Sequence, residues 1–139
     1  MKLLNIRLHA GVLGLSGIAL GAFGAHALKA VLIERGMSEA WEIAVRYHLI
    51  HAVAVFSAGI FLSNPNSRRS HPWLARAAYC WSAGVLFFSG SLYGLALGGS
   101  RWFGPITPLG GLLFLLGWSF AIVDSLCSRL PEKNDDASA

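Results

Sequence analysis

Apolar residues dominate four stretches of this chain, at 8–28, 42–62, 73–97 and 108–126, with short polar intervals between them. A bilayer core about 30 Å thick takes about 20 helical residues to cross, and each stretch has that length. Lipid offers backbone amides no partner, so a crossing segment is a helix or part of a closed barrel. Barrel strands would be about half as long and would alternate in polarity, whereas LGGLLFLLGWSFAIV at 109–123 is apolar on every face. The pattern predicts an all-α membrane protein, an antiparallel four-transmembrane-helix bundle occupying 1–128, since short connections make antiparallel neighbours. The remaining 129–139, which includes PEKNDDASA, reads as a disordered polar tail.

Local signals set the expected boundaries. The first helix is expected to run on to Arg35, where Gly36 can end it. Ser38 is placed to cap the second helix, with Glu39 and Glu42 suiting the dipole of its first turn. Asn64-Pro65-Asn66-Ser67 marks a turn. Thr107 before Pro108 has the form of an N-cap followed by proline at the first helical position.

Charge then gives a sidedness. The chain has eleven Lys and Arg against seven Asp and Glu, but the basic residues are spread along it, which fits no nucleic-acid surface. They sort by the positive-inside rule. Lys2, Arg7, Arg68, Arg69, Arg76, Arg129 and Lys133 flank one side, and Lys29, Arg35, Arg46 and Arg101 the other. Both termini and the 63–72 loop are therefore expected in the cytoplasm, with the chain crossing the membrane several times. Lys2 and Arg7 ahead of an apolar run ending Ala25-His26-Ala27 share the form of a secretory leader, but the run exceeds a usual leader core and is read as the first span.

Helices in lipid associate through close backbone approach, so small residues mark contact faces. Gly14, Gly17, Gly21 and Gly24 lie on the first helix, and Gly90, Gly94 and Gly98 on the third. Of these, Gly17, Gly21, Gly90 and Gly94 are the expected packing positions. Counting 1.5 Å per residue from each helix midpoint puts His51 near the bilayer centre, His48 and Ser89 about 6 Å and His26 and Tyr93 about 12 Å toward the non-cytoplasmic side. Thr107 falls near that interface. His26, Tyr47, His48, His51, Ser89, Tyr93 and Thr107 thus form one expected polar cluster in that half, turned inward because lipid cannot satisfy them.

Three readings of the cluster stand open: a hydrogen-bonded network fixing helix register, a pocket for a small polar ligand or proton, and a metal or haem site. The last is weakest. His48 and His51 are three apart rather than the more frequent four, and no Cys or carboxylate joins them at that depth. No cofactor is therefore expected. Glu42 with Arg46 and Asp124 with Arg76 are read as structural ion pairs. No nucleophile elbow, phosphate loop or midplane carboxylate pair occurs, so no enzyme is expected.

GAFGAH at 21–26, Tyr47 and His51 within YHLIHAVA, SGSLYGLAL at 89–97 and TPLGGLLFLLGW at 107–118 together resemble the signature blocks of the bacterial domain of unknown function 423 family. The resemblance covers nearly the whole chain except the tail. It implies a small four-helix inner-membrane protein of uncharacterised activity. His48 is not a fixed position of that pattern, which counts against a three-histidine metal site. The expected function is that of a structural or accessory membrane component, its partners the lipid bilayer and another membrane protein or a second copy. The alternative is a small transporter or proton-coupled carrier using His26, His51 and Tyr93.

Overall fold

The computed structural model describes residues 3–64 and 71–128. The tail at 129–139, the turn residues Pro65 to Ser67, and Lys2, Arg68, Arg69, Arg129 and Lys133 lie outside the described residues. The described chain is helical, without strands: α1 Leu3–Ala25, α2 Lys29–Glu34, α3 Ser38–Leu62, α4 Pro72–Gly84, a π-turn Val85–Ser89, α5 Gly90–Ala96 and α6 Phe103–Cys127. Three helices are long and apolar enough to cross a membrane: α1 over Ile6–Ala25, α3, and α6.

The expected third crossing is built differently. Its backbone stays helical at both junctions, with Gly84 at φ −56°, ψ −42° and Gly90 at φ −60°, ψ −42°, but the Gly90 amide reaches back five residues to the Val85 carbonyl. A π-turn adds about one residue to the helical count and rotates the residues after it by about 100°. No single polar seam therefore runs from residue 79 to 93: Ser82, Ser89 and Tyr93 are buried, while Tyr79 is 43% exposed.

Contacts run in opposite order along each neighbouring pair, which makes the neighbours antiparallel. Gly17 of α1 faces Leu49 of α3, Gly21 faces Val45, Gly24 faces Trp41, and Ile6 reaches Gly59. On the other side of α3, Trp41 meets Tyr93, Tyr47 meets Phe88, and Phe61 meets His71. Phe114 of α6 then packs on Gly84, Gly110 on Phe88, and Gly117 beneath Trp81. Neighbours in chain order make the most extensive contacts, and side chains of α3 also reach α6, where His51 stacks on Phe114. Among the described residues α1 has no comparable contact with α6, although Ile6, Ala10 and Leu13 of α1 belong to one buried core with Trp81 and Phe114. The reason is one-sided packing: the glycines of α1 meet only α3, and Gly110 and Gly117 of α6 meet only the third segment.

Several ends differ from expectation. α1 stops at Ala25, and a turn bonded Leu28 N–H to Phe23 C=O, 2.8 Å, leads into the separate α2. Gly36, at φ +64°, does end a helix, with Met37 N–H on Leu32 C=O and Gly36 N–H on Ile33 C=O, the paired bonds of a Schellman motif. Gly98, at φ +86°, closes α5 in the same way through Leu95 and Gly94. Ser38 is the first residue of α3 rather than its cap, and no side chain caps that end. α6 begins at Phe103, which leaves Pro108 inside it. Pro105 sits in the first turn, where its missing N–H costs nothing.

Candidate functional site

The expected single cluster resolves into separate hydrogen-bonded groups, because one helical step of 100° turns adjacent residues to different neighbours. Tyr47 and His51, four apart, look toward α6; His48 looks toward α1 and α5.

His51 is 3% exposed. Its ring lies flat on Phe114, with centroids 3.6 Å apart. Nδ1 is 2.8 Å from the Tyr47 carbonyl oxygen, which can only accept, so Nδ1 carries the proton. Nε2 then offers its lone pair to the Trp118 indole N–H at 3.3 Å. Both ring nitrogens are engaged, and α3 is tied to α6.

His48, 4% exposed, is held in the opposite tautomer. The Ser16 hydroxyl donates to its own helix at Val12 C=O, 2.9 Å, and Leu13 C=O, 3.0 Å. Its oxygen thus accepts from His48 Nε2–H at 3.4 Å, and His48 Nδ1 receives the Tyr93 O–H, also at 3.4 Å. Tyr93 packs on Trp41, whose indole N–H donates to the Leu20 carbonyl at 3.0 Å. Ser16 and Trp41 are members that spacing did not single out. Ser16 carries the more legible signal, a hydroxyl on a glycine-lined face of the first span.

Thr107 lies in another group. Its hydroxyl is 2.7 Å from that of Ser91 and bonds the Phe103 carbonyl at 3.3 Å, the i−4 bond of a residue inside a helix rather than a cap. Ser89 is fully buried, and no hydrogen bond engages its hydroxyl among the described residues. Tyr47 keeps 40% exposure, with its ring between Phe88 and Phe114. His26 is exposed in the turn after α1 and joins none of these groups, because α1 ends one residue before it.

The packing glycines sort as clearly. A Cβ on Gly17 would come 2.7 Å from Leu49, one on Gly21 3.3 Å from Val45, and one on Gly94 3.1 Å from Phe103. Gly90 meets only the Val85 oxygen, at 4.0 Å, and points outward. The third-segment contact is made instead by Gly84, and by Gly110 and Gly117 across from it.

The ion pairs differ from expectation too. Asp124 bonds His71 Nδ1 at 2.7 Å and accepts the Leu74 amide at 3.1 Å, which caps α4 from a neighbouring helix. Arg76 instead lies over the Trp73 ring, 4.4 Å from its centroid. Among the described residues, no ion pair links Glu42 and Arg46.

Comparison with known proteins shows which family the chain resembles. A family profile described as "Protein of unknown function (DUF423)" matches residues 20–111. The UPF0382 membrane protein of Staphylococcus haemolyticus is 43% identical over 108 residues, 78% of this chain and 84% of that protein. The UPF0382 membrane protein YwdK of Bacillus subtilis is 34% identical over 109 residues, 78% and 85% of the two chains. The UPF0382 inner membrane protein YgdD of Escherichia coli is 34% identical over 127 residues, 89% of each. No solved structure matches the chain.

Proposed function

Since this chain belongs to the DUF423 family of membrane proteins, we propose that it is a multi-pass inner-membrane scaffold or accessory component without catalytic activity, in which the buried polar groups interlock the helices. The segment from Pro72 to Ala96 serves in this reading as a fourth crossing, and both termini face the cytoplasm, in keeping with the Lys and Arg distribution. The observation that carries the reading is that both ring nitrogens of His48 are engaged by groups on neighbouring segments, while those of His51 are engaged by Trp118 of α6 and by the Tyr47 carbonyl of its own helix. A proton relay through His51 would have to release its proton from Nδ1 onto a peptide carbonyl, which cannot hold it. The expected carrier residues His26, His51 and Tyr93 also sit apart, with His26 in the exposed turn.

The test is proton flux into vesicles reconstituted with the purified protein. The scaffold reading expects no flux above that of empty vesicles, and a lowered thermal midpoint for His51→Ala. Interhelical hydrogen bonds in membranes contribute about 0.6 kcal/mol on average, and loss of the Phe114 stack adds about 0.5–1.5 kcal/mol. Flux that His51→Gln abolishes without changing the midpoint would replace this reading with the carrier.

A further inference from the structure

Where α1 ends and α2 swings away, the two helices and the start of α3 enclose a wedge of about 610 Å³, within the range of about 300–1,000 Å³ usual for small-molecule sites. Gly21 and Gly24 form one wall and Trp41 part of the floor, and the charged groups lining it are Lys29, Glu42 and Arg46. The wedge exists because those glycines let α1 lie close on α3 below it, while Leu32 of α2 packs with Trp41 and Tyr93 and holds α2 off to one side. Arg35 does not enter it, since its guanidinium lies against Gly98.

Two features point to a ligand. Arg46 is eight residues into α3, about 12 Å along its axis, yet no hydrogen bond or ion pair engages its side chain or that of Lys29 among the described residues. Both cations are exposed at the wedge, so an anionic group entering it meets them without displacing a protein partner. Secondly, the charges are two cations and one carboxylate above an apolar floor. Glu42 and Arg46 share a helical face, about 6 Å apart along the axis. An anion alone would leave Glu42 opposed to it. A group carrying a phosphate next to an ammonium matches all three.

We propose that this wedge binds the head group of a phosphatidylethanolamine-type phospholipid, its phosphate held by Lys29 and Arg46 and its ammonium by Glu42. The apolar floor takes the glycerol end and the first methylenes of the acyl chains. A primary ammonium donates hydrogen bonds to Glu42; the quaternary ammonium of phosphatidylcholine has none to donate.

The test uses the purified full-length protein in mild detergent, offered phosphatidylethanolamine, phosphatidylcholine and phosphatidylglycerol of identical acyl chains, with retained lipid read by native mass spectrometry. Phosphatidylethanolamine should be retained in preference to both others. Arg46→Gln should lower its retention about tenfold, the loss of one charge-assisted contact. Glu42→Gln should remove the preference over phosphatidylcholine. Lys29→Gln, on the exposed start of α2, repeats the measurement should Arg46→Gln fail to fold. Equal retention of the three lipids, or retention unchanged in both cation variants, overturns the proposal. Soluble phosphoethanolamine should not displace the lipid; displacement at equal concentration would identify a soluble ligand and overturn the lipid assignment.

Discussion

A glycine means something different at each position here, and the difference lies in what a methyl group would touch. At Gly110 the added Cβ would run into the backbone amide of Phe88, and backbone cannot turn aside as a side chain can. Gly110→Ala should therefore cost about 1–3 kcal/mol through overpacking, read as a lower thermal midpoint in detergent. Gly90→Ala meets open space at a helical φ of −60° and should raise the midpoint, since glycine in a helix costs about 0.5–1 kcal/mol against alanine. Equal behaviour of the two variants would mean that the third segment does not lie on α6 in this register. Spacing showed glycines four apart on both helices, and on α1 that identified the contact. On the third segment it named Gly94, which meets Phe103, but also Gly90, which faces outward, and it passed over Gly84, which meets Phe114 on the other side of the π-turn.

At the scale of the element, the informative feature is an end capped from outside. The first amides of α4 have no partner within their own helix, and Asp124 of α6 takes the one at Leu74 while holding His71. Asp124→Ala removes both contacts. A loss of about 0.5–2 kcal/mol is expected from the cap alone, with faster amide exchange confined to the first turn of α4. Unchanged exchange at Leu74 would mean the cap is not formed in solution. Sequence placed Asp124 and the start of α4 at similar depth and paired it with Arg76. What decided otherwise is reach: the guanidinium lies over Trp73, and the nearer donors are an imidazole and a peptide N–H.

Across the whole molecule the chain-order arrangement makes two predictions. In a background without Cys80 and Cys127, cysteines at Ser91 and Thr107, whose hydroxyls are 2.7 Å apart, should oxidise to an intramolecular disulfide, while a Gly14 and Leu115 pair between α1 and α6 should not. A fast-migrating, cross-linked monomer from the second pair would place α1 directly against α6. For sidedness, a cysteine at Ser67 should resist an impermeant thiol reagent in intact cells and one at Ser100 should label. Ser100 follows directly on the Gly98–Gly99 turn that ends α5. Reversed labelling would invert the orientation and leave the packing untouched.

Composition and hydrophobic run length determined by themselves that the chain is helical and lives in a membrane, since both follow from the thickness of the bilayer and the unmet backbone groups it would impose. Family membership was legible in the same way, from GAFGAH, YHLIHAVA, SGSLYGLAL and TPLGGLLFLLGW. Most of the polar residues were legible as inward-facing, the exposed His26 and the partly exposed Tyr47 excepted, but not as partners: depth along an axis is read by counting, whereas Tyr47 and His51 part from His48 by rotation about that axis. Only the tertiary structure decided which helix each one meets. It broke the first helix at Ala25, put the π-turn opposite Gly110, and gave His48 and His51 different neighbours, because those outcomes depend on backbone approach between segments far apart in the chain.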